Sequence, residues 1–553
     1  MLIIFADWIY ILITTFCMGF GFFIFVDKVL HYKVQRMDSI LVAGLAIATV
    51  YAQIFSLLYR VNIEANILML VVCFVIVIIW RQQIFAFLRE AYQKSSRIRK
   101  ILIPILLLIW CYFTSRGYMV PDTDLYHAQS IRWIEEYGVV KGQGLLNGRF
   151  AYNSSIFSVT ALYSLKFILG RSLHTLNGWL AFVMSVGLLD LGKCFQRKKM
   201  LLSDFARVAA AYYLTLIWDE VVAPSPDYFV MCILFFIAIK WLTQLEASEN
   251  SDNIAPYSLL CVLGAYALTL KLAAGLILVL LLKPAFILLK KKRWKDIAVY
   301  MVLGLLTTVP WMTRTVFISG WLFYPFTALD LFSVDWKMRD VGAINTDAAL
   351  IKVWAKAANE MGIDAPLRQW FPHWFMTSLS SMQKLVVAGD LISCIIVPVA
   401  GVKLVIKKQW KQLEVLFVLF AMMSSYLYWQ LSAPMPRYGY AYMLLLPALT
   451  MGYLLQNRKI SRVVYALFMV FGLYKFYIGF DYIMNSYLEQ AYIWQIDYHT
   501  YDVESYDLNG VTIYIWTESL SGYGPVPACN WSSIEEGLEL RGDGIKDGFR
   551  MKY

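Results

Sequence analysis

The chain has 553 residues, of which 60% are hydrophobic and only 16% are charged. Soluble globular proteins carry about a quarter of charged residues, so this composition excludes a soluble fold, a disordered chain and a fibrous protein. The net charge of +11 does not indicate nucleic-acid binding, because the basic residues form short clusters between apolar runs.

Apolar runs recur along most of the chain. Because about 20 apolar residues cross a bilayer, we predict about fourteen transmembrane helices. They are placed at residues 2–26, 39–59, 66–88, 101–115, 175–193, 204–219, 226–243, 257–271, 274–290, 297–312, 384–406, 412–430, 438–455 and 461–480. The first run lacks a basic segment and a cleavage signal, which favours a retained helix over a signal peptide. One further apolar stretch, residues 154–170, is ambiguous by length alone.

Basic clusters decide the orientation of the helices. They lie at residues 28–36, 89–100, 193–199, 290–295, 403–411 and 458–462. The positive-inside rule places all six in the cytoplasm only if the stretch 154–170 does not cross the membrane. We therefore predict that 154–170 lies flat or re-enters. The extracytoplasmic parts are then 116–174, 313–383 and 481–553.

These features predict an all-α polytopic membrane protein with loop helices on its outer face and a small β-rich C-terminal domain. The tail is polar, its segment Val511–Trp516 has the composition of a strand, and residues 538–543 and 548–551 suggest a hairpin. The predicted division is into N-terminal helices (1–100), a membrane module with the first outer loop (101–312), a large outer loop (313–383), C-terminal helices (384–480) and the tail (481–553).

The first outer loop holds the densest group of polar residues. Leu125, Ala128, Ile131 and Ile134 predict one apolar face of a helix. Asp124 and His127 then lie one turn apart, and Asp122 precedes the helix. These groups could act as a general base or bind a divalent cation, with Asp124, His127 and Asp227 as the candidate metal ligands. The alternative is that Asp122 is an N-cap and Asp124 a first-turn acid favoured by the helix dipole.

Four more charged residues are predicted at outer helix ends. Asp227 follows Ser225 and Pro226, so it is either functional or part of a helix N-terminus. Lys271 either extends its ammonium group to the membrane surface or binds an anion. The positive-inside rule disfavours arginine at the positions of Arg314 and Arg437, so a phosphate ligand or an ion pair with Asp227 or Asp330 has to account for them.

Motifs for nucleotide or serine chemistry do not occur in the sequence. It holds no Walker loop, no dinucleotide-binding glycine motif, no HExxH and no GxSxG. The sequence therefore gives no indication of ATP, NAD or a serine nucleophile.

Several short motifs follow one another in an order that is known from one superfamily. They are Asp122-Thr-Asp-Leu-Tyr126, a loop segment ending at Gly170, Ser225-Pro-Asp227, Thr269-Leu-Lys271, Pro310-Trp311 and an Arg437-Tyr helix that contains Pro447. In this order and placement the chain resembles the GT-C membrane glycosyltransferases, especially the polyprenyl-phosphate-sugar-dependent mannosyl- and aminoarabinosyl-transferases. The resemblance covers roughly residues 100–455. The whole chain also resembles a group of bacterial multi-spanning proteins that share the Pro-Asp-Thr-Asp-Leu-Tyr-His loop.

The resemblance implies a hexosyl- or pentosyltransferase in the bacterial plasma membrane, with its active site on the extracytoplasmic face. The donor would be a sugar on polyprenyl phosphate, and the acceptor a cell-envelope glycan or lipid. Asp124 or Asp122 would be the general base. Substrate would be bound by Tyr126, His127, Asp227, Lys271, Arg314 and Arg437. The acidic motif departs from the usual Asp-Glu pair, so either aspartate can be the base.

Two alternatives stay open at this point. A polymerase or ligase of lipid-linked polysaccharide would also use outer arginines, on a diphosphate-linked donor. A flippase or transporter of lipid-linked sugars would need polar groups near the middle of the membrane, and the polar groups identified here gather at the outer face.

Overall fold

A computed structural model describes residues 1–34, 36–197, 200–247, 253–359, 361–362, 364–456, 460–486, 492–517 and 520–552. Four residues of the predicted basic clusters, Lys198, Lys199, Arg458 and Lys459, lie outside the described residues. The described chain is mostly helical, with short strands confined to the C-terminal tail.

The α-helices follow the apolar runs of the sequence. In chain order they are α1 (Leu2–Leu30), α2 (Met37–Leu58), α3 (Ile63–Lys94), α4 (Arg97–Ser115), α5 (Ala128–Glu136), α6 (Ser155–Tyr163), α7 (Lys166–Leu169), α8 (Leu176–Leu188), α9 (Leu202–Leu214), α10 (Pro226–Ala247), α11 (Ala255–Leu270), α12 (Leu282–Lys290), α13 (Trp294–Ser319), α14 (Val341–Ala355), α15 (Leu367–Thr377), α16 (Ser381–Ile406), α17 (Trp410–Ser432), α18 (Tyr440–Leu455), α19 (Ile460–Ser486) and α20 (Trp531–Glu535). The segment Leu272–Leu281, before α12, is a 3₁₀-helix.

Within the described residues, 10 helical segments are long and apolar enough to cross a membrane, judged by length and composition. Each of the fourteen predicted runs contains helix, but α8 and α9 have 13 residues each. The helices α11 and α18 have 16 residues each, which is also short of the roughly 20 that span a bilayer. The described residues are thus consistent with a polytopic helical protein, with ten candidate spans against the roughly fourteen predicted.

The ambiguous stretch 154–170 does not form a spanning helix. It is divided into α6, of nine residues, and α7, of four, and the chain between them passes through Leu165 at φ 50°. A helix of nine residues is about 14 Å long, less than half of the hydrocarbon core. All nine residues of α6 are buried. The stretch therefore forms no single helix long enough to span a bilayer, as the charge pattern predicts.

Three of the predicted basic clusters meet at one acidic residue, Asp190. Its carboxylate accepts from Arg36 at 2.6 Å and from Arg99 at 3.2 Å, and Lys193 lies 3.0 Å away. These residues stand at the beginning of α2, the beginning of α4 and the end of the α8 region, so the three clusters share one end of the helices, as the charge pattern predicts.

The opposite end carries a layer made of both long loops and the tail. The amide of Gly142 donates to the carbonyl of Phe317 at 2.8 Å, which joins the first loop to the end of α13. Gln495 of the tail accepts from the amide of His174 at 2.9 Å. Arg541 of the tail pairs with Asp335 of the second loop at 2.8 Å. The three segments that the sequence places on one side therefore contact one another.

The tail forms two small sheets, with strands β1 (Val503–Leu508), β2 (Val511–Trp516), β3 (Ala528–Cys529), β4 (Leu538–Leu540) and β5 (Phe549–Met551). The pair β1–β2 is antiparallel, β2–β3 is parallel and β4–β5 is antiparallel. The predicted strand and hairpin are confirmed, whereas β1 is not predicted. The pair Asn509-Gly510, between β1 and β2, is the sequence feature that indicates this hairpin, and its positive φ angles of 54° and 85° suit a tight turn.

The apolar core of the tail is shared with the first loop. Ile513 and Phe549 of the strands are buried in one cluster with Trp133 and Phe150 of the loop. Because a small domain buries little surface by itself, this shared core fixes the tail against the loop.

Candidate functional site

The acidic motif begins with a π-helical turn, Thr123–His127, which leads directly into α5. Such turns are rare and wider than an α-helical turn, and they occur frequently at functional sites. Of the predicted apolar face, Ala128, Ile131 and Ile134 are buried, and Leu125 is partly buried. Asp124 and His127, which the sequence places together, contact different parts of the protein.

Asp122 joins a charged cluster through Arg437. The guanidinium donates from Nη2 to Oδ2 of Asp122 at 2.6 Å. Its Nε lies 3.6 Å from Oδ2 of Asp227. The arginine stands in the 3₁₀ turn Pro436–Tyr438 just before α18, and Asp227 stands in the first turn of α10. The side chain of Asp122 makes no N-cap hydrogen bond, and its carboxylate pairs with Arg437 instead.

Lys271 completes the cluster. Its ammonium group forms an ion pair with Oδ1 of Asp227 and lies 3.6 Å from the centre of the Tyr438 ring. The capping function at the start of α10 belongs to Ser225, whose hydroxyl accepts from the amide of Asp227 at 3.3 Å. The carboxylate of Asp227 is thereby left for the two cations.

The cluster of Asp122, Asp227, Lys271 and Arg437 is formally neutral. Each cation faces a carboxylate, so an incoming anion has to compete with Asp122 or Asp227 for the cations. Lys271 and Arg437 are also stabilised by the face of the Tyr438 ring, at 3.6 and 5.1 Å. This arrangement suits a site that binds an anion and releases a carboxylate at the same time.

His127 is buried beside the cluster and is uncharged at neutral pH. Its pKa is lowered from 6.5 to about 3, mainly by burial and also by the positive charges of Arg437 and Lys271, against the opposing effect of Asp227. Its Nδ1 is buried and has no hydrogen-bond partner among the described residues. A neutral imidazole with an unused nitrogen can position a substrate hydroxyl.

Tyr126 stands between the cluster and the outer loops. Burial, with the nearby negative charges of Asp122 and Asp227, raises its pKa well above the usual value of a phenol. Its hydroxyl is therefore a hydrogen-bond donor at neutral pH. The ring lies 4.4 Å from that of His127, measured between centroids.

Asp124 faces the tail and lies apart from the cations. Its Oδ2 lies 2.8 Å from Nδ1 of His499, and its carbonyl accepts from the amides of Ser521 and Gly522 at 2.8 and 2.9 Å. Its side chain is 7% exposed, against 24% for Asp122. The aspartate that solvent and the cations reach is thus Asp122.

Arg314 is buried away from the carboxylates. It donates to the hydroxyl of Ser56 and, at 3.4 Å, to Oδ1 of Asn153. Among the described residues it has no ion pair, and Asp330 pairs with Lys337. The structure therefore groups Arg437 with the site and places Arg314 between α2 and the first loop.

A metal site of three protein ligands is not formed by the described residues. No group of three or more His, Cys, Asp or Glu side chains is placed to share an ion there. The candidate ligands Asp124, His127 and Asp227 consequently do not form such a group, because Asp124 faces the tail.

Three residues near the site were not predicted from the sequence. Tyr438 contacts both cations, and His499 contacts Asp124. Glu220 lies close enough to interact electrostatically with Arg437 and Asp227, and burial raises the pKa of its carboxyl. Tyr438 follows the predicted Arg437 directly, whereas nothing in the local sequence marks the other two.

Comparison with known proteins gives one match. A family described as "Domain of unknown function (DUF8201)" matches residues 1–444, which include all four residues of the charged cluster. No curated protein and no solved structure matches the chain. The chain belongs to the DUF8201 family.

Proposed function

We propose that this protein is a membrane glycosyltransferase of the bacterial cell envelope. It would transfer a sugar from a polyprenyl-phosphate donor to an acceptor on the extracytoplasmic face. The observation that carries the proposal is the cluster of Asp122, Asp227, Lys271 and Arg437. It stands at the end of the helices that is remote from the basic clusters at Asp190.

The donor class follows from charge and topology. Nucleotide sugars are confined to the cytoplasm, so a transferase on the outer side needs a lipid-linked donor. The phosphate of that donor would take hydrogen bonds from Arg437 and Lys271, which stabilise the charge of the leaving group. Since the cluster is neutral, phosphate binding frees Asp122 from its ion pair with Arg437.

The freed Asp122 would then act as the general base. It takes the proton of the acceptor hydroxyl, whose oxygen bonds to the anomeric carbon of the sugar. The bond between that carbon and the phosphate oxygen breaks, and its electron pair leaves with the polyprenyl phosphate. Asp227 holds the cations, while His127 and Tyr126 position the sugar by hydrogen bonds. Asp124 supports the motif through the tail.

A transfer assay with the purified protein in lipid vesicles tests this proposal. Radiolabelled polyprenyl-phosphate sugars are supplied with membrane glycans from a strain that lacks the gene. Transfer of label by the wild type, and its loss in Asp122→Asn, are expected. Use of a diphosphate-linked oligosaccharide in place of every monophosphate-linked sugar would show a polymerase or ligase and would overturn the proposal.

One observation favours a second candidate, a transporter of lipid-linked sugars. Asp390 lies inside the spanning helix α16, is fully buried, and neither carboxylate oxygen has a hydrogen-bond partner among the described residues. Ionisable groups inside a membrane are costly and commonly functional. Transporter activity predicts that Asp390→Asn stops the movement of a fluorescent polyprenyl-phosphate sugar across vesicles, whereas the transferase proposal predicts no effect on transfer.

A further inference from the structure

A polar cleft of about 1010 Å³ lies between the outer loops and the tail. One wall is the first loop at residues 144–149, the second is the beginning of α14, and the third is the tail around α20. The volume is at the upper end of the range for sites of drug-sized ligands, so it accommodates more than one sugar ring. The charged cluster at Asp122 does not line this cleft.

The charges that line the cleft are balanced. Three are positive and three negative: Arg149, Arg339, Lys552, Asp340, Asp347 and Glu536. A nucleic acid or a strongly charged peptide is recognised by an excess of one sign. A balanced set of donors and acceptors instead suits a neutral ligand that is rich in hydroxyl groups, since a hydroxyl both donates and accepts.

Aromatic rings also line the cleft, at Tyr324, Trp516 and Trp531. Trp531 is 50% exposed and is held from the side by Tyr506, with ring centroids 5.9 Å apart. An aromatic side chain offers a rigid apolar face beside polar groups. The apolar C–H face of a sugar ring can lie on such a surface while its hydroxyls reach the polar side chains.

A line of tyrosines connects the cleft to the charged cluster. The ring of Tyr324 lies 5.1 Å from that of Tyr152, which lies 6.4 Å from that of Tyr126. The hydroxyl of Tyr152 donates to Asp347 of the cleft at 3.0 Å. Tyr126 in turn interacts electrostatically with Asp122 and Asp227. Through these packed rings, the Tyr324 side of the cleft is the side that contacts the charged cluster.

We propose that this cleft binds a neutral oligosaccharide, which is the acceptor of the transfer reaction. Its role as acceptor rests on the proposed function, whereas binding in the cleft does not. The bound chain lies along Trp531 and the loop at Arg149, with one end at Tyr324, on the side of the cleft that faces Tyr152.

Saturation-transfer NMR with the full-length protein in lipid nanodiscs tests the inference. The probes are neutral hexasaccharides of glucose, mannose, galactose and N-acetylglucosamine. At least one probe is expected to receive saturation from the wild type and to lose at least four fifths of it in Trp531→Ala. The matched control is Trp354→Ala, because Trp354 is also 50% exposed and lies on α14 outside the cleft.

The outcomes separate this inference from the proposed function. No signal from any probe, or an equal signal in Trp531→Ala, would overturn oligosaccharide binding in the cleft and leave the transferase proposal unaffected. If the wild type and Asp122→Asn both bind a probe but the wild type transfers no sugar, oligosaccharide binding in the cleft would stand and the transferase proposal would be overturned. Transfer that is weakened in Trp531→Ala through KM, with kcat unchanged, is the result expected when both are correct.

Discussion

The guanidinium of Arg437 and the carboxylate of Asp122 form a 2.6 Å ion pair between residues 315 positions apart. The pair joins the first long loop to the turn before α18, and Asp227 and Lys271 complete it from two further segments. Four segments thus supply two carboxylates and two cations to one place. The mechanism proposed above depends on this convergence.

The first prediction separates the two aspartates of the motif. Asp122→Asn should lower the rate of transfer by about 10²–10⁴-fold, because it removes the base that accepts the hydroxyl proton. Asp124→Asn should retain more than a tenth of the rate, since its carboxylate faces His499. Rates are measured with the labelled donor in vesicles.

Elution of each variant as one species in detergent checks that it is folded. The variant Asp543→Asn is the control for activity. Asp543 is exposed on the tail, so its variant should keep the wild-type rate. Full activity in Asp122→Asn with loss in Asp124→Asn would reverse the assignment of the base.

The second prediction concerns the geometry of Arg437. Arg437→Lys keeps the charge but cannot reach Asp122 and Asp227 from two nitrogens at once. We expect about a 10²-fold lower kcat, as for the loss of one donor to a developing negative charge. Steady-state kinetics at several donor concentrations check this. An unchanged kcat in Arg437→Lys would show that a point charge is sufficient there.

Much of the fold could be predicted from the sequence because its signals are local. Each predicted apolar run holds a helix, and the stretch 154–170, which the positions of the basic clusters exclude as a span, holds only two short helices. Helix ends were less predictable. The helices α8 and α9 have 13 residues each and end before the predicted apolar runs do, at Leu188 and Leu214.

The residues of the candidate site could be predicted from the sequence, but the contacts between them could not. Asp122, Asp227, Lys271 and Arg437 were all expected at one end of the helices. Which aspartate meets the cations depends on the π-helical turn Thr123–His127, and no local pattern in the sequence indicates that turn. The contact of His499 with Asp124 joins residues 375 positions apart, so only the folded tail reveals it.

The third prediction tests how the tail is held on the motif. Gly522 has φ +51°, and a Cβ there would lie 2.2 Å from the carbonyl oxygen of His499. Gly522→Ala should therefore destabilise the tail by about 1–3 kcal/mol. Limited proteolysis should cut the tail of this variant several-fold faster. Gly544→Ala is the control, because no atom lies within 4 Å of a Cβ at that position.

The fourth prediction is an acid sensitivity that comes from His174. Burial lowers the pKa of His174 from 6.5 to about 3, so the folded protein does not take up its proton as the pH falls. The unfolded chain does take it up below about 6.5, hence stability falls between pH 6.5 and 3, by up to about 1.4 kcal/mol per pH unit. Protonation of Glu135 has the opposite sign, because burial raises its pKa.

Replacing His174 isolates its own contribution. His174→Phe keeps a ring against Tyr498, whose centroid lies 4.4 Å away, and removes the titration. Thermal unfolding in detergent at pH 7 and pH 5 is compared for both proteins. The drop in Tm at pH 5 should be smaller in the variant. An equal drop would exclude His174 as its source.

The fifth prediction fixes the side of the membrane. Asp543→Cys on the tail should react with an impermeant maleimide added to intact cells, and Lys290→Cys at the end of α12 should react only after lysis. Both positions are exposed, and the native cysteines are buried except Cys394, which is partly exposed. The wild type gives the background. Labelling of Lys290→Cys alone in intact cells would invert the topology and remove the argument for a lipid-linked donor.

The most direct measurement is mass spectrometry of polyprenyl-linked sugars in a deletion strain that carries the wild-type gene or Asp122→Asn. We expect a polyprenyl monophosphate sugar to accumulate in the Asp122→Asn strain and one sugar to be missing from a surface glycan. Both changes should be absent with the wild-type gene. Accumulation of diphosphate-linked repeat units instead would contradict the transferase and the role of Asp122 as its base.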